Sequence, residues 1–181
     1  MKLRRIFLYV FLSFSILYIS VCTYMYIFQR NFLYHPYQNN HLRGEKLNLE
    51  VKEVFVPSTE GITLKSWFYK NPKNKYTVLF FHGNAGELGN RIYKLNELKN
   101  LNLNYLIISW RGFSGNKGSP TEQGLYSDAR SAIDWLEKNN ILKNKIILYG
   151  ESLGTGVAIE VAQNQKFAGL ILESPYTSIV D

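Results

Sequence analysis

The sequence predicts an α/β domain, a mostly parallel sheet with helices on both faces, behind one N-terminal transmembrane helix. Three observations predict it. Residues Ile6 to Phe28 carry no charge, short runs of β-branched and aromatic residues recur further along, and those runs alternate with longer segments of helical period. Repeated strand–helix–strand units with nearly continuous apolar strands are what a parallel sheet covered on two sides requires.

The elements follow in order. Residues 1–5 hold Lys2, Arg4 and Arg5, positive charges that tend to stay in the cytoplasm. The uncharged run 6–28, about 23 residues at 1.5 Å rise, exceeds the ~30 Å hydrocarbon thickness. It is apolar on every face, unlike a core helix, and it continues into Tyr24, Met25, Tyr26 and Phe28 where a cleavable signal would carry small residues. An uncleaved signal-anchor is expected, with the N-terminus cytoplasmic and the globular part on the extracytoplasmic side. Residues 29–50, with His35-Pro36 and Asn39-Asn40, show no sustained period and read as a linker. The domain occupies 51–181. Strands are expected at Val51–Val56, Ile62–Tyr69, Thr77–Phe81, Tyr105–Ser109, Lys145–Tyr149 and Ala168–Leu172. Helices are expected around Glu87–Lys99, around Thr121–Lys138, and from Ser152 to about Gln163, with a glycine-rich loop from Gly112 to Pro120.

Composition narrows the function classes. With 181 residues, 46% of them hydrophobic, the chain can bury a core. The formal charge is +7, yet Lys and Arg are scattered without a basic run or an aromatic-interleaved patch, which argues against nucleic acid as a partner. The one cysteine, Cys22, lies inside the apolar run, so neither an intrachain disulfide nor a cysteine-based zinc site can be built.

Gly150-Glu151-Ser152-Leu153-Gly154 matches G-x-S-x-G and falls directly after an expected strand and before an expected helix. That context carries more weight than the letters. A sharp turn there holds the serine in a strained conformation, and the small residues at Gly150 and Gly154 let strand and helix approach. Its hydroxyl is presented above a helix N-terminus, whose partial positive charge favours a developing anion. Ser152 is therefore the candidate nucleophile; the plainer reading is a helix-capping serine. A dinucleotide fingerprint fails because no third glycine follows Gly154-Thr155-Gly156, and a phosphate loop fails because no lysine follows the glycines.

A second motif, Phe81-His82-Gly83-Asn84-Ala85-Gly86, closes the third expected strand. With it the chain resembles the α/β-hydrolase superfamily, in particular its membrane-anchored ABHD and Bem46-like branch. The resemblance rests on four segments in order: His82 to Gly86; Arg111 to Gly115 with Gly118 and Pro120; Gly150 to Gly154; and Glu173-Ser174-Pro175-Tyr176-Thr177. Gln29 to Pro36 also resembles the juncture after the anchor in that branch. It implies an α/β-hydrolase fold in which the backbone N–H groups of Asn84 and Leu153 form the oxyanion hole. His82 and Gly83 then support the oxyanion loop, and Gly150 and Gly154 support the nucleophile turn. Asn84 is also a good turn residue, and the two readings are compatible. No metal and no organic cofactor is implied, because nucleophile, base and oxyanion donors suffice.

The other titratable residues read as structural. His82 precedes the oxyanion loop, where the family uses histidine to hold the loop rather than as general base. His35 and His41 read as solvated linker residues. Asp128 and Glu173 are expected to make structural hydrogen bonds or to pair with Arg111 or Arg130, and Glu151 takes no role of its own.

In this fold the chain order is Ser, then Asp or Glu, then His. No histidine follows Ser152, and Asp181 comes too early for the acid. The resemblance thus implies a C-terminally truncated member whose last strand is left at the sheet edge. Two expectations follow. The chain is either part of a membrane-anchored ester, thioester or related acyl hydrolase, weakly active or inactive alone, whose activity belongs to the complete protein or to this piece complemented by a polypeptide that supplies acid and His, or a non-catalytic truncated or split remnant. The anchor favours acylated or lipid-like substrates.

Overall fold

The computed structural model describes residues 2–36 and 50–178. The chain divides into two units, 1–34 and 35–181.

The first unit is one helix, α1 (Lys2–Leu33), with apolar side chains exposed all round and none of its residues buried. It is long and apolar enough to cross a membrane. The helix runs beyond the expected anchor end at Phe28 because loss of hydrophobicity ends a span, not a helix: Gln29 to Leu33 contains no glycine or proline. It stops short of His35-Pro36, where the residue before proline is driven to extended geometry. The rest of the expected linker, residues 37–49 with His41, lies outside the described residues.

In the second unit, β1 (His35–Pro36) pairs in parallel with β5 (Ala85–Gly86). The remaining strands are β2 (Lys52–Pro57), β3 (Thr63–Tyr69), β4 (Thr77–Phe81), β6 (Asn104–Ile108), β7 (Ile146–Glu151) and β8 (Gly169–Glu173). They form one sheet in the order β2-β3-β6-β4-β7-β8. The first two strands are antiparallel, and β6, β4, β7 and β8 are parallel. All five residues of β4 and of β6 are buried, which is why both read as unbroken apolar runs rather than alternating ones.

Among the described residues, three helices cover the sheet. On one face α2 (Ile92–Asn100) packs Leu95 and Leu98 against Trp67, Tyr69, Val78, Phe80, Tyr105 and Ile107. Its expected first turn at Glu87 is instead a 3-10 turn over Leu88–Arg91, closed by a capping box in which Glu87 and Asn90 satisfy each other's backbone N–H groups. On the other face α3 (Glu122–Lys138) buries Leu125, Ala129, Ala132, Ile133 and Leu136 at helical spacing. Its N-cap, Thr121, accepts a hydrogen bond from the Gly124 N–H at 3.0 Å. Beside it lies α4 (Leu153–Ala162). At the far edge of the sheet, Leu170 and Ile171 of β8 are more than two-fifths exposed.

The register sets up the site. Phe81, at the end of β4, pairs with Ile108 on one side and Gly150 on the other. The turns after β4, β6 and β7 therefore emerge together at the carboxyl end of the sheet, the rim where open parallel sheets bind ligands.

Candidate active site

Ser152 sits between β7 and α4 at φ 49° and ψ −115°, a left-handed backbone conformation that non-glycine residues rarely adopt. Its N–H donates to the Glu173 carbonyl at 2.9 Å, and its carbonyl accepts from the Thr155 N–H at 2.8 Å. The strained turn is thus pinned from β8 on one side and from the first turn of α4 on the other. Leu153 opens that helix, so its N–H belongs to the group that lacks an intrahelical acceptor.

Two glycines make the turn possible. A Cβ on Gly154 would lie 2.0 Å from the Phe81 carbonyl oxygen, and one on Gly150 would lie 2.5 Å from the Gly154 carbonyl oxygen. Strand β4, the turn and α4 are packed backbone to backbone there. Across the turn runs the segment after β4: a Cβ on Gly83 would stand 3.5 Å from the Cβ of Ser152. Asn84 follows, its carbonyl accepting the His35 N–H at 2.8 Å across the β1–β5 pair. Gly83, Asn84, Ser152 and Leu153 are therefore neighbours at one rim, although some 70 residues separate the two motifs.

The family described as serine aminopeptidase, S33 matches residues 72–181. The chain belongs to this α/β-hydrolase family. Protein bem46 of Schizosaccharomyces pombe is 38% identical over 144 residues, covering 76% of this chain and 48% of that protein. The α/β hydrolase domain-containing protein WAV2 of Arabidopsis thaliana is 34% identical over 142 residues, covering 75% of this chain and 46% of that protein. Among solved structures, an α/β hydrolase from Vibrio vulnificus superposes with a TM-score of 0.59 at 27% identity, covering 68% of this chain and 45% of that one. The chain spans about half the length of the curated relatives it matches.

Within this α/β hydrolase, His82 is fully buried. Its Nδ1 lies 2.8 Å from the Gly83 carbonyl, its Nε2 lies 3.4 Å from the Trp110 N–H, and its own carbonyl accepts the Trp110 indole N–H at 3.0 Å. Both ring nitrogens are thus engaged by backbone groups. Burial first, and the nearby charge of Arg91 second, push its pKa down to about 3. A histidine that ordinarily titrates near 6.5 binds its proton more readily in the unfolded chain, so folding stability falls as pH drops from about 6.5 toward 3. His82→Gln is expected to flatten that part of the stability curve. Denaturant unfolding from pH 7 to pH 4 measures it, and an unchanged slope refutes the assignment.

The carboxylates sort by environment. Asp128, fully buried, accepts from the Arg111 backbone N–H at 3.0 Å, from its guanidinium at 2.9 Å, and from the Ser58 hydroxyl at 2.7 Å. The expected pairing of Asp128 with Arg111 is the one found; Arg130 pairs instead with Glu160. Glu173 makes structural hydrogen bonds, as expected, but pairs with neither arginine. Its carboxylate is held by the Lys94 ammonium and the Tyr149 hydroxyl, because the parallel crossover places the end of β8 beside the end of β7 and under α2. Those two hydrogen bonds, Lys94 first, hold the Glu173 pKa below the ordinary carboxylate range. Burial works against the Lys94 charge, yet Glu173 and Glu151 together hold its pKa above the usual value.

Glu151, for which the sequence offered no role, lies 3.3 Å from the Arg91 guanidinium and 3.4 Å from Lys94. Arg91, Lys94 and Tyr149 carry no motif. The one available signal was position, since two cations open the helix that follows the oxyanion segment. Among the described residues, no three of His, Cys, Asp and Glu converge as a metal site would require.

Proposed function

We propose that this chain is the anchored, nucleophile-bearing part of a serine acyl hydrolase acting on carboxylic esters, thioesters or related acyl groups. The observation that carries the reading is Ser152: a strained, left-handed serine at a strand-to-helix turn, with the Gly83 segment in contact range. In the proposed reaction, Ser152 Oγ attacks the acyl carbonyl carbon while a base takes its proton. The oxygen that gains charge is received by the N–H groups of Asn84 and Leu153 at the head of α4. Donors fixed before the reaction cost no reorganisation as charge develops, and removing one such donor typically slows turnover about 100- to 1,000-fold.

The base is the open place. The sequence has three histidines and none follows Ser152, while His82 is buried, neutral and engaged at both nitrogens. The acid and base are supplied, in this proposal, by further residues of the complete protein or by a complementing polypeptide, seated beside the exposed strand β8. The helix α1 holds the domain at a membrane with Lys2, Arg4 and Arg5 on the cytoplasmic side, which suits acylated or lipid-like substrates.

Exogenous imidazole can stand in for an absent histidine. A fluorophosphonate probe is expected to label the purified chain slowly in plain buffer, and about tenfold faster with saturating neutral imidazole. Ser152→Ala should abolish the labelling. Absence of Ser152-dependent labelling even with imidazole would favour a non-catalytic protein and sink the proposal.

A further inference from the structure

Strand pairing between β4 and β7 reaches Phe81 and Gly150, and beyond it the segment that supplies Asn84 and the turn that supplies Ser152 need a further tie to fix their spacing. Arg91 spans the two. Its Nη1 donates to the Ala85 carbonyl at 2.9 Å and to the Glu87 carbonyl at 3.4 Å. Its Nη2 donates to Glu151 Oε1 at 3.3 Å. Ala85 follows Asn84 directly, and Glu151 directly precedes Ser152. The same Nη2 would lie 3.7 Å from a Cβ on Gly83, so the guanidinium fills the angle between the two segments. The Arg91 side chain is 10% exposed and that of Glu151 is 22% exposed, so water competes weakly for either charge.

We infer that Arg91 and Glu151 form a clamp that sets the distance between the two halves of the oxyanion site, making Arg91 a positioning residue. The inference rests on the hydrolase reading of Ser152. A guanidinium suits this task because its planar fork holds two acceptors in fixed directions, which a lysine ammonium cannot reproduce. Lys94 backs the clamp: it lies 3.4 Å from Glu151 Oε2 and also holds the Glu173 side chain. The backbone carbonyl of that same Glu173 receives the Ser152 N–H at 2.9 Å. A line of alternating charges, Arg91, Glu151, Lys94 and Glu173, thereby ties the 82–86 segment to the nucleophile turn and the tip of β8. Its use lies in precision. An oxyanion donor displaced by about 1 Å can cost about 100-fold in rate without unfolding anything.

Amide hydrogen exchange on the full chain in lipid nanodiscs tests the clamp without any need for turnover. Arg91→Met and Glu151→Leu are each expected to raise exchange about tenfold in peptides covering 82–87 and 150–155, while Asn104–Ile108 keeps its protection. The double variant should exchange less than the two single effects combined, because both break the shared Arg91–Glu151 link. Glu151→Gln, which keeps an acceptor oxygen for Arg91, should return most of the protection and guards against a misfolded leucine variant. In imidazole-assisted labelling, Arg91→Met should lower the maximal labelling rate about tenfold or more with the apparent probe affinity unchanged. Unchanged exchange in the two segments, additive single effects, or a loss confined to probe affinity would overturn the clamp. If the clamp variants are silent but Ser152→Ala still abolishes labelling, the clamp falls and the hydrolase reading stands. If exchange responds but no labelling depends on Ser152, the hydrolase reading falls and Arg91 loses its catalytic purpose.

Discussion

Asp128→Ala is expected to destabilise the domain by about 4 kcal/mol, lowering its melting temperature by roughly 15 °C. The loss is not that of one salt bridge. Asp128 is fully buried and the Arg111 side chain is 4% exposed, so removing the carboxylate strands a guanidinium that water cannot reach. It also takes away the acceptor for the Arg111 backbone N–H and for the Ser58 hydroxyl. Of the remaining neighbours, Glu60 is 72% exposed and 3.4 Å away, too wet to replace a buried partner. Asp128→Asn, which keeps an acceptor, should cost about half as much. Removing both charges together, in Arg111→Met with Asp128→Leu, should recover much of the loss. Thermal and denaturant unfolding of the four proteins decides the matter; an alanine variant within 1 kcal/mol of wild type would refute this account of Arg111.

Gly154→Ala is expected to cost about 3 kcal/mol, despite alanine's advantage of about 1 kcal/mol in a helix. The added methyl would meet the Phe81 carbonyl oxygen at 2.0 Å and its carbonyl carbon at 2.7 Å, both main-chain atoms of a fully buried strand. Neither can move without shifting β4 or α4, and with α4 goes the backbone geometry of Ser152. Gly156→Ala in the same helix is the control. Its methyl would meet the Tyr176 hydroxyl at 2.3 Å, the far end of a half-buried side chain that can rotate away. That variant should lie within about 1 kcal/mol of wild type, and either sign is compatible with the contact. Equal effects of the two substitutions in thermal unfolding would remove the backbone-approach argument.

Much of the fold was legible because its signals are local. Thr77–Phe81 is an apolar run bounded by polar residues, and the strand occupies those five residues. The helix expected around Thr121–Lys138 is there, with Thr121 as its N-cap. The Gly150–Gly154 pentapeptide announced a strand-to-helix turn, and the positive φ of Ser152 is the physical content of that pattern. What stayed hidden was pairing between distant segments. Glu173 could have met any nearby cation, and only the crossover from β7 to β8 decides that it meets Lys94. Arg91 and Glu151 are sixty positions apart with no motif linking them, so their contact exists only once β4 and β7 are neighbours. The two-residue pairing of His35–Pro36 with Ala85–Gly86 is too short to leave any periodic trace, and it converts part of an expected linker into sheet.

That short pairing matters for anyone who wishes to study the domain in water. The obvious place to cut is just after the apolar run, or anywhere in the polar stretch up to residue 50, on the view that everything before the first long strand is tether. A protein begun after Pro36 would lose the N–H of His35 that the Asn84 carbonyl accepts, and with it a tie on the loop beside Ser152. It would fold on its large sheet and still present a slackened rim. A soluble form of this domain should keep His35 and Pro36.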